Sequence, residues 1–345
     1  MSDPKFFYLT ACGTDEASGI YQACLENGLY RQLDFARQDC ASYLAFSEDH
    51  SLLYVALEGK QKGGLASYAI QPDGSLKKLD ELLTPGMGYC HLAVVPGGRF
   101  VYVANYSDGF LMRFSVDNGK ILNYEIIDRH TGHGPYVGRQ ETPHVHYTIL
   151  TPDKKYLCTV DLGIDRIDAY PLNADGTVDV ANAKRSTIVP AGSGPRHFIF
   201  AQDGKTAYLL NELANTVMVM DYADGLFSIR QTLPTLPAQL HSFSKASAIR
   251  FSPDRRFLFA SNRGYDTIAT FAIQPDGSLK PHALDFIGGQ GPRDFNFLPD
   301  GKTIFVGCEN SNNAFLFDYD ATTGRMTPNG DTLPQITRPI CILWL

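Results

Sequence analysis

A pattern of apolar run, tight polar turn and second apolar run recurs along the chain and constrains its fold more than any other feature. The turns recur at Asp49, Gly97, Asp153, Asp203, Asp254 and Asp300, which are 48, 56, 50, 51 and 46 residues apart. A period of this size with four strand-like runs per unit is typical of β-propellers. The sequence therefore predicts an all-β protein in which equivalent positions of distant repeats surround one central channel.

The two ends of the chain together supply one further repeat. Residues 340–345 match only the first strand of the pattern, whereas Phe6–Ala11 matches the second. Pairing these segments in one sheet removes open strand edges, which are a liability of β-sheets. We therefore expect a seven-bladed β-propeller that forms a single domain over residues 1–345. Six or eight blades are the less favoured alternatives, because they would leave the end strands unpaired.

Charge and cysteine usage narrow the classes of partner and compartment. The formal net charge is −7 and no basic run occurs, which argues against nucleic acid as a partner. The seven cysteines are odd in number and have no Cys-x-x-Cys spacing, so we expect reduced thiols in a cytoplasmic protein. No signal peptide and no apolar run long enough to span a membrane is apparent. We expect a small anionic partner, and a monomer or a weak homo-oligomer.

The order of the strands in each repeat predicts which end of the channel holds the functional site. The start of each inner strand and the end of the second strand should meet on one face, opposite the tight turns. The polar residues at these starts and ends are His144, His146, Arg196, His197, Ser247, Arg293 and Asp294, with Glu58, Asn105, Asp161, Asn211, Glu212, Asn262, Arg263 and Glu309. The opposite turns carry ordinary turn residues, so this face is the predicted site.

Structural and functional interpretations both apply to this polar set. Strand-end carboxylates and amides often only bind neighbouring loops, and that role is predicted for Glu58, Asn105, Asp161 and Asn262. A functional role is predicted for His146, Arg196 and Glu212. An arginine facing a channel needs an anionic partner, and a histidine and a glutamate supply groups for proton transfer.

The longest interruption of the repeat runs from residue 128 to residue 142 and leads into the strand with His146. Long loops are more often functional than decorative. We therefore expect this loop to form part of the site wall, with phosphate contacts from His130, His133 and Arg139. The alternative is a mobile lid without chemistry.

Several familiar motifs are absent, including a phosphate-binding glycine loop, a dinucleotide fingerprint and a Gly-x-Ser-x-Gly elbow. His144 and His146 have a spacing that occurs in metal sites, but one such pair is a weak signal. No metal site is predicted.

Four motifs carry a resemblance to a known family: Pro143-His-Val-His, Gly194-Pro-Arg-His, Asn211-Glu and Gly291-Pro-Arg-Asp-Phe. Along essentially its whole length the chain resembles the seven-bladed propeller lactonases. That family includes bacterial 6-phosphogluconolactonases and a fungal carboxy-cis,cis-muconate lactonizing enzyme. The resemblance implies catalytic roles for His146, Arg196 and Glu212, and no metal or other cofactor.

The resemblance further implies a lactone hydrolase of carbohydrate metabolism that converts 6-phosphogluconolactone to 6-phosphogluconate. Either Glu212 or His146 would deprotonate water, and Arg196 would stabilise the oxyanion. The residues expected to bind substrate are His144, His197, Asn211, Arg263, Arg293 and Arg139. Another sugar lactone, a muconate-type ring closure and a binding-only propeller are the alternatives. The last would expose an apolar patch in place of a proton-transfer pair.

Overall fold

The computed structural model describes residues 6–26, 29–330, 333 and 335–344, most of which lie in strands and tight turns. Within these ranges the only helical element is a 3-10 helix at Ala238–Phe243, and no helix is long and apolar enough to cross a membrane. The strands, in chain order, are β1 (Phe6–Ala11), β2 (Gly19–Glu26), β3 (Leu29–Arg37), β4 (Ala41–Phe46), β5 (Leu52–Leu57), β6 (Lys62–Ile70), β7 (Leu76–Pro85), β8 (Tyr89–Val94), β9 (Phe100–Asn105), β10 (Phe110–Asp117), β11 (Lys120–Arg129), β12 (Val145–Leu150), β13 (Tyr156–Asp161), β14 (Arg166–Pro171), β15 (Lys184–Ile188), β16 (Pro195–Phe200), β17 (Thr206–Asn211), β18 (Thr216–Ala223), β19 (Leu226–Pro234), β20 (Lys245–Phe251), β21 (Phe257–Arg263), β22 (Thr267–Ile273), β23 (Leu279–Phe286), β24 (Pro292–Phe297), β25 (Thr303–Cys308), β26 (Asn313–Asp320), β27 (Arg325–Pro328) and β28 (Pro339–Trp344).

These strands form seven four-stranded antiparallel sheets. Six sheets use four consecutive strands, from β4–β7 to β24–β27, and the seventh has the order β28-β1-β2-β3. The first strand of every sheet contacts the first strand of the next, and the contact of β28 with β4 closes the circle. The predicted seven-bladed propeller is confirmed.

The closing sheet pairs the two ends of the chain as predicted. Phe7 lies opposite Trp344 and Leu9 lies opposite Ile342 in an antiparallel ladder between β1 and β28. Leu345 lies outside the described residues. Because one sheet holds both ends, we propose that the chain forms one domain.

Local turn chemistry explains the regular spacing. Asp203 accepts hydrogen bonds from the backbone N–H groups of Lys205 and Thr206, at 2.8 Å each, and Asp300 binds its own turn in the same way. Such Asx turns are a property of Asp and Asn side chains, which mimic a backbone turn. Each aspartate therefore ends an inner strand at the face opposite the predicted site.

Neighbouring blades are joined by buried tyrosines and apolar packing. The hydroxyl of Tyr8 donates to the carbonyl of Gly74 in the next blade at 2.7 Å. Tyr102 and Tyr208 make the same bond to Gly176 and Gly277 at 3.0 and 2.8 Å. Buried apolar clusters fill the space between adjacent sheets. This packing provides a rigid support for side chains at the channel mouth.

Candidate active site

A β-bulge recurs at the start of every inner strand and determines which side chains line the channel. In all seven blades the register between the first two strands shifts by one residue near the inner strand's first position. The residues in the bulges are Ser42, Cys90, His146, Arg196, Ser247, Arg293 and Ile340. Bulges re-aim side chains and are frequent beside active sites. Six of these seven residues line one small enclosed cavity.

The Gly-Pro-Arg motif in the blade formed by β16–β19 positions Arg196. Gly194 has φ +60° and a Cβ at this position would lie 2.4 Å from the side chain of Leu213, so no other residue fits without strain. Its carbonyl accepts the N–H of Glu212 at 2.7 Å. That bond fixes the start of β16 beside the end of β17. Arg196 Nε consequently donates to Glu212 Oε2 at 2.9 Å.

Glu212 lies at the centre of a buried cluster of charges. Besides Arg196, it pairs with Arg139 at 2.6 Å and with Arg263 at 2.9 Å. Burial alone would raise the pKa of Glu212, but Arg263, Arg196 and Arg139 hold it well below its ordinary value. Glu212 is therefore a fixed carboxylate and a poor proton acceptor.

A second carboxylate extends the cluster towards the blade formed by β24–β27. Glu309 pairs with Arg263 at 3.3 Å and with Arg293 at 3.0 Å. Burial raises the pKa of Glu309, whereas Arg293 and then Arg263 lower it, and the net shift is downwards. Glu212 and Glu309 thus pair with four arginines around one channel mouth, namely Arg139, Arg196, Arg263 and Arg293.

His146 is a buried neutral imidazole next to this cluster. Only 5% of the residue is exposed, and its Nδ1 has no hydrogen-bond partner. Burial and then the positive charge of Arg196 lower the pKa of His146 well below 6.5. An uncharged histidine with a free nitrogen can accept a proton from water.

His197, one of the residues expected to bind substrate, contacts Arg196. Its Nε2 lies 2.6 Å from Arg196 Nη1, which also donates to the carbonyl of Ser247 at 2.7 Å. Burial and then Arg196 lower the pKa of His197 well below its usual value. As an uncharged, almost fully buried acceptor it orients Arg196, and its part in substrate binding stays a prediction.

His144 stacks on Tyr106, a residue that the sequence analysis missed. Their rings are 4.2 Å apart and nearly parallel, and His144 Nδ1 lies 2.7 Å from the carbonyl of Tyr106. The Tyr106 ring also meets His146 edge-on at 5.5 Å, and its hydroxyl accepts a bond from Arg139 at 3.2 Å. Tyr106 therefore links three predicted site residues.

The loop of residues 128–142 brings Arg139 to Glu212 but places its two histidines elsewhere. His130 is buried, with Nδ1 2.7 Å from Asp161 and Nε2 2.9 Å from the hydroxyl of Tyr170. The prediction that it contacts phosphate was wrong, because both of its nitrogens are engaged inside the protein. His133 is exposed and lies 3.4 Å from the carbonyl of Gly134.

Around His130, Asp128 and Asp168 complete a group with suitable spacing for a metal ion. Their carboxylates already pair with Arg185 at 2.6 Å and with Arg166 at 2.7 Å. The chain's own cations thus satisfy this group.

Asn211, another residue expected to bind substrate, ends β17. It is fully buried, and its amide donates to Thr216 Oγ1 in the next strand at 2.9 Å. It supports the hairpin, and its part in substrate binding stays a prediction. Asn105 and Asp161 likewise bind backbone groups of neighbouring loops, as predicted for them.

A second layer of side chains that carried no sequence motif packs next to the site. His91 packs between Tyr43 and Tyr147, with ring centroids 4.1 and 3.7 Å apart, and Tyr147 packs on His197 at 4.9 Å. Alignment of the repeats is the signal that finds such residues, because His91 and Tyr147 directly follow bulge residues. These rings pack directly behind the bulge residues of the site.

The closed propeller holds a buried arginine, a carboxylate and a neutral histidine beside one small cavity. This arrangement defines an enzyme-like site for a small ligand. A sequence profile described as "Lactonase, 7-bladed beta-propeller" matches residues 6–344. A 6-phosphogluconolactonase of Bacillus subtilis is 35% identical over 309 residues, covering 88% of this chain and 87% of that protein. The chain belongs to the seven-bladed β-propeller lactonase family, and is by class a lactone hydrolase.

Solved structures agree with this assignment. A crystal structure from Bacteroides fragilis superposes with a TM-score of 0.91 at 31% identity, covering 100% of this chain and 99% of the other. The structure of a periplasmic gluconolactonase of Pseudomonas aeruginosa gives a TM-score of 0.88 at 28% identity, covering 99% of each chain. The architecture described above is thus shared over its full length.

Proposed function

We propose that the protein hydrolyses 6-phosphogluconolactone to 6-phosphogluconate. The observation that carries the proposal is the contact of Arg196 with Glu212 beside neutral His146 at the cationic end of the channel. The name of the B. subtilis relative supports this substrate. Arginines favour anionic ligands, and a phosphorylated sugar lactone is one.

His146 is the base in the proposed mechanism. It accepts a proton from water while the water oxygen adds to the lactone carbonyl carbon. The bond to the ring oxygen then breaks, and the protonated His146 returns the proton to that oxygen. Glu212 is the weaker candidate, because three arginines keep its pKa low.

Arg196 stabilises the oxyanion that forms on the carbonyl oxygen. Its Nε and Nη1 are committed to Glu212, His197 and Ser247, whereas its Nη2 makes no hydrogen bond with the described residues. That nitrogen is the donor left for the substrate. Burial and then Arg263 lower the pKa of Arg196 to about 10, so the guanidinium keeps its charge at neutral pH. Glu212 and His197 act as positioning residues for it.

Substrate binding in this proposal involves Arg139, Arg263 and Arg293, and His144 through its stacking on Tyr106. No cofactor takes part in these steps. A cytoplasmic location fits the seven unpaired cysteines, and the protein acts as a monomer or a weak homo-oligomer in this proposal.

An unphosphorylated sugar lactone is the second candidate substrate, because the similar structure from P. aeruginosa is that of a gluconolactonase. The two candidates differ in one phosphate group. Acid release from 6-phosphogluconolactone and from glucono-δ-lactone, each corrected for spontaneous hydrolysis, distinguishes them. A higher kcat/KM for the phosphorylated lactone supports the proposal. Equal values, or no rate above the buffer blank with the phosphorylated lactone, would remove it.

A further inference from the structure

Lys245 is a cation at the channel mouth that carried no sequence motif. It opens β20, and its backbone lies opposite Arg263 at the end of β21. The next residue, Ala246, donates its N–H to the carbonyl of Glu212 at 3.2 Å. The backbone therefore fixes Lys245 beside the two residues that join the arginine cluster, and its side chain is exposed.

Unlike the arginines around it, Lys245 makes no ion pair with any carboxylate of the described residues. Arg139, Arg196, Arg263 and Arg293 each pair with Glu212 or Glu309. Burial and then the positive charge of Arg139 lower the pKa of Lys245, which is consistent with an ammonium group held close to other cations. Lys245 is thus the cation of this cluster that has no ion-pair partner among the described residues.

Two neighbouring arginines also keep donors without acceptors. Arg139 Nη1 and Arg263 Nε are buried and make no hydrogen bond. Both arginines lie within electrostatic reach of Lys245. Buried donors without partners are costly, so a ligand that supplies several acceptor oxygens at this point is favoured.

The formal charges of the mouth point to a doubly charged ligand group. Five cations face three carboxylates, an excess of two positive charges, although the whole chain carries −7. These groups are Arg139, Arg196, Arg263, Arg293 and Lys245, with Glu58, Glu212 and Glu309. A phosphate monoester carries nearly two negative charges at neutral pH and three acceptor oxygens.

We propose that Lys245, with the free donors of Arg139 and Arg263, binds the phosphate of a phosphorylated lactone and makes the enzyme prefer it over the unphosphorylated sugar. This inference rests on the proposed function, which it deepens. Lys245 and Arg196 both lie close to Glu212. In this proposal the lactone carbonyl is bound at Arg196 and the phosphate at Lys245.

The test compares Lys245→Met with Lys245→Arg, which keeps the charge. Lys205→Met is the matched control, because Lys205 is an exposed lysine in the turn at the opposite face. Charge-assisted bonds lost from a binding site cost about 10-fold or more in affinity. Lys245→Met should therefore lower the ratio of kcat/KM for 6-phosphogluconolactone over glucono-δ-lactone by about 10-fold, mainly through KM of the phosphorylated substrate.

Calorimetric titration with the reaction product separates this inference from the proposed function. 6-Phosphogluconate should bind the wild type and Lys205→Met alike, bind Lys245→Met about 10-fold more weakly, and bind Lys245→Arg with intermediate or full affinity. Gluconate should not distinguish these variants. If the enzyme hydrolyses the phosphorylated lactone but Lys245→Met keeps the wild-type ratio and affinity, the inference fails and the proposed function stands. If the wild type is inactive yet binds 6-phosphogluconate through Lys245, only the proposed function fails.

Discussion

Replacing Glu212 by Gln should destabilise the protein strongly, although the side chain keeps its size. Glu212 is buried and contacts Arg139, Arg196 and Arg263 at 2.6 to 2.9 Å. The substitution leaves these guanidinium groups without their shared counter-charge. Removing one partner of a buried ion pair typically costs about 3–5 kcal/mol.

The expected shift in melting temperature follows from the chain length. Unfolding entropy is about 2.1 cal/mol/K per residue, so for 345 residues each kcal/mol lowers Tm by about 1.4 °C. Glu212→Gln should thus lower Tm by about 4–7 °C in a calorimetric scan. Glu48→Gln is the control, because Glu48 pairs with Lys154 on the exposed surface and its loss should leave Tm nearly unchanged.

Two further measurements identify the cause. Adding Arg139→Gln to Glu212→Gln removes one unpaired cation and should recover part of the lost Tm. Because the pKa of Glu212 is lowered in the fold, its stabilising effect is present above the ordinary value of 4.5 and is lost as pH falls below it. The Tm difference between wild type and Glu212→Gln should therefore stay constant from pH 7 to about 5 and shrink at lower pH. A variant as stable as the wild type at pH 7 would refute this electrostatic reasoning.

Three other predictions concern the closure, the loop and the base. Deleting residues 340–345 removes nearly all of β28 and exposes the edge of β1, so it should cause aggregation or a large loss of stability. A product that is monomeric by light scattering and has an unchanged Tm by calorimetry would contradict the closure of the propeller. Arg139→Ala should raise KM more than it lowers kcat, since Arg139 reaches the site from the loop, and an unchanged KM would show that the loop does not bind substrate. Because the pKa of His146 is lowered well below 6.5, kcat/KM of the wild type should stay flat through pH 6.5 and fall only at more acidic pH. The variant His146→Gln should lose most activity at every pH. A wild-type decline centred at 6.5 would exclude neutral His146 as the base.

The fold was predictable from sequence because its signals are local and repeated. Aspartate turns such as that of Asp203 end each inner strand, and the apolar runs on either side form the strands. The position of the end strands followed from the need to cover sheet edges. Connectivity also placed Arg196 and Glu212 on one face, where they are in contact.

The direction of individual side chains was not predictable from the strand pattern. A one-residue bulge aims Arg196 into the channel, whereas Asn211, paired opposite Pro195, is buried and bonded to the next strand. Strand-end position alone cannot distinguish these cases. His130 was similarly misjudged, because nothing near it in sequence indicates that Asp161 and Tyr170 will enclose it.

Residues without an evident chemical motif were missed, although aligning the repeats shows which of them share a position with predicted site residues. Cys90 occupies the same bulge position as His146 and Arg196, which aligning the blades reveals. Tyr106 has no such marker. It follows the end of β9, and its contact with Arg139 depends on the path of a long loop that no local pattern specifies.

The rate of 6-phosphogluconolactone hydrolysis above the buffer blank, measured for wild type and Arg196→Ala, tests the central claim most directly. Without Arg196, Glu212 keeps Arg139 and Arg263, so the variant should remain folded. Loss of an oxyanion donor costs about 100- to 1000-fold in rate. We expect a clear excess rate for the wild type and for the surface control Arg256→Ala, and a loss of at least about 100-fold in Arg196→Ala. A wild type without excess rate, or a folded Arg196→Ala variant with full activity, would contradict the account.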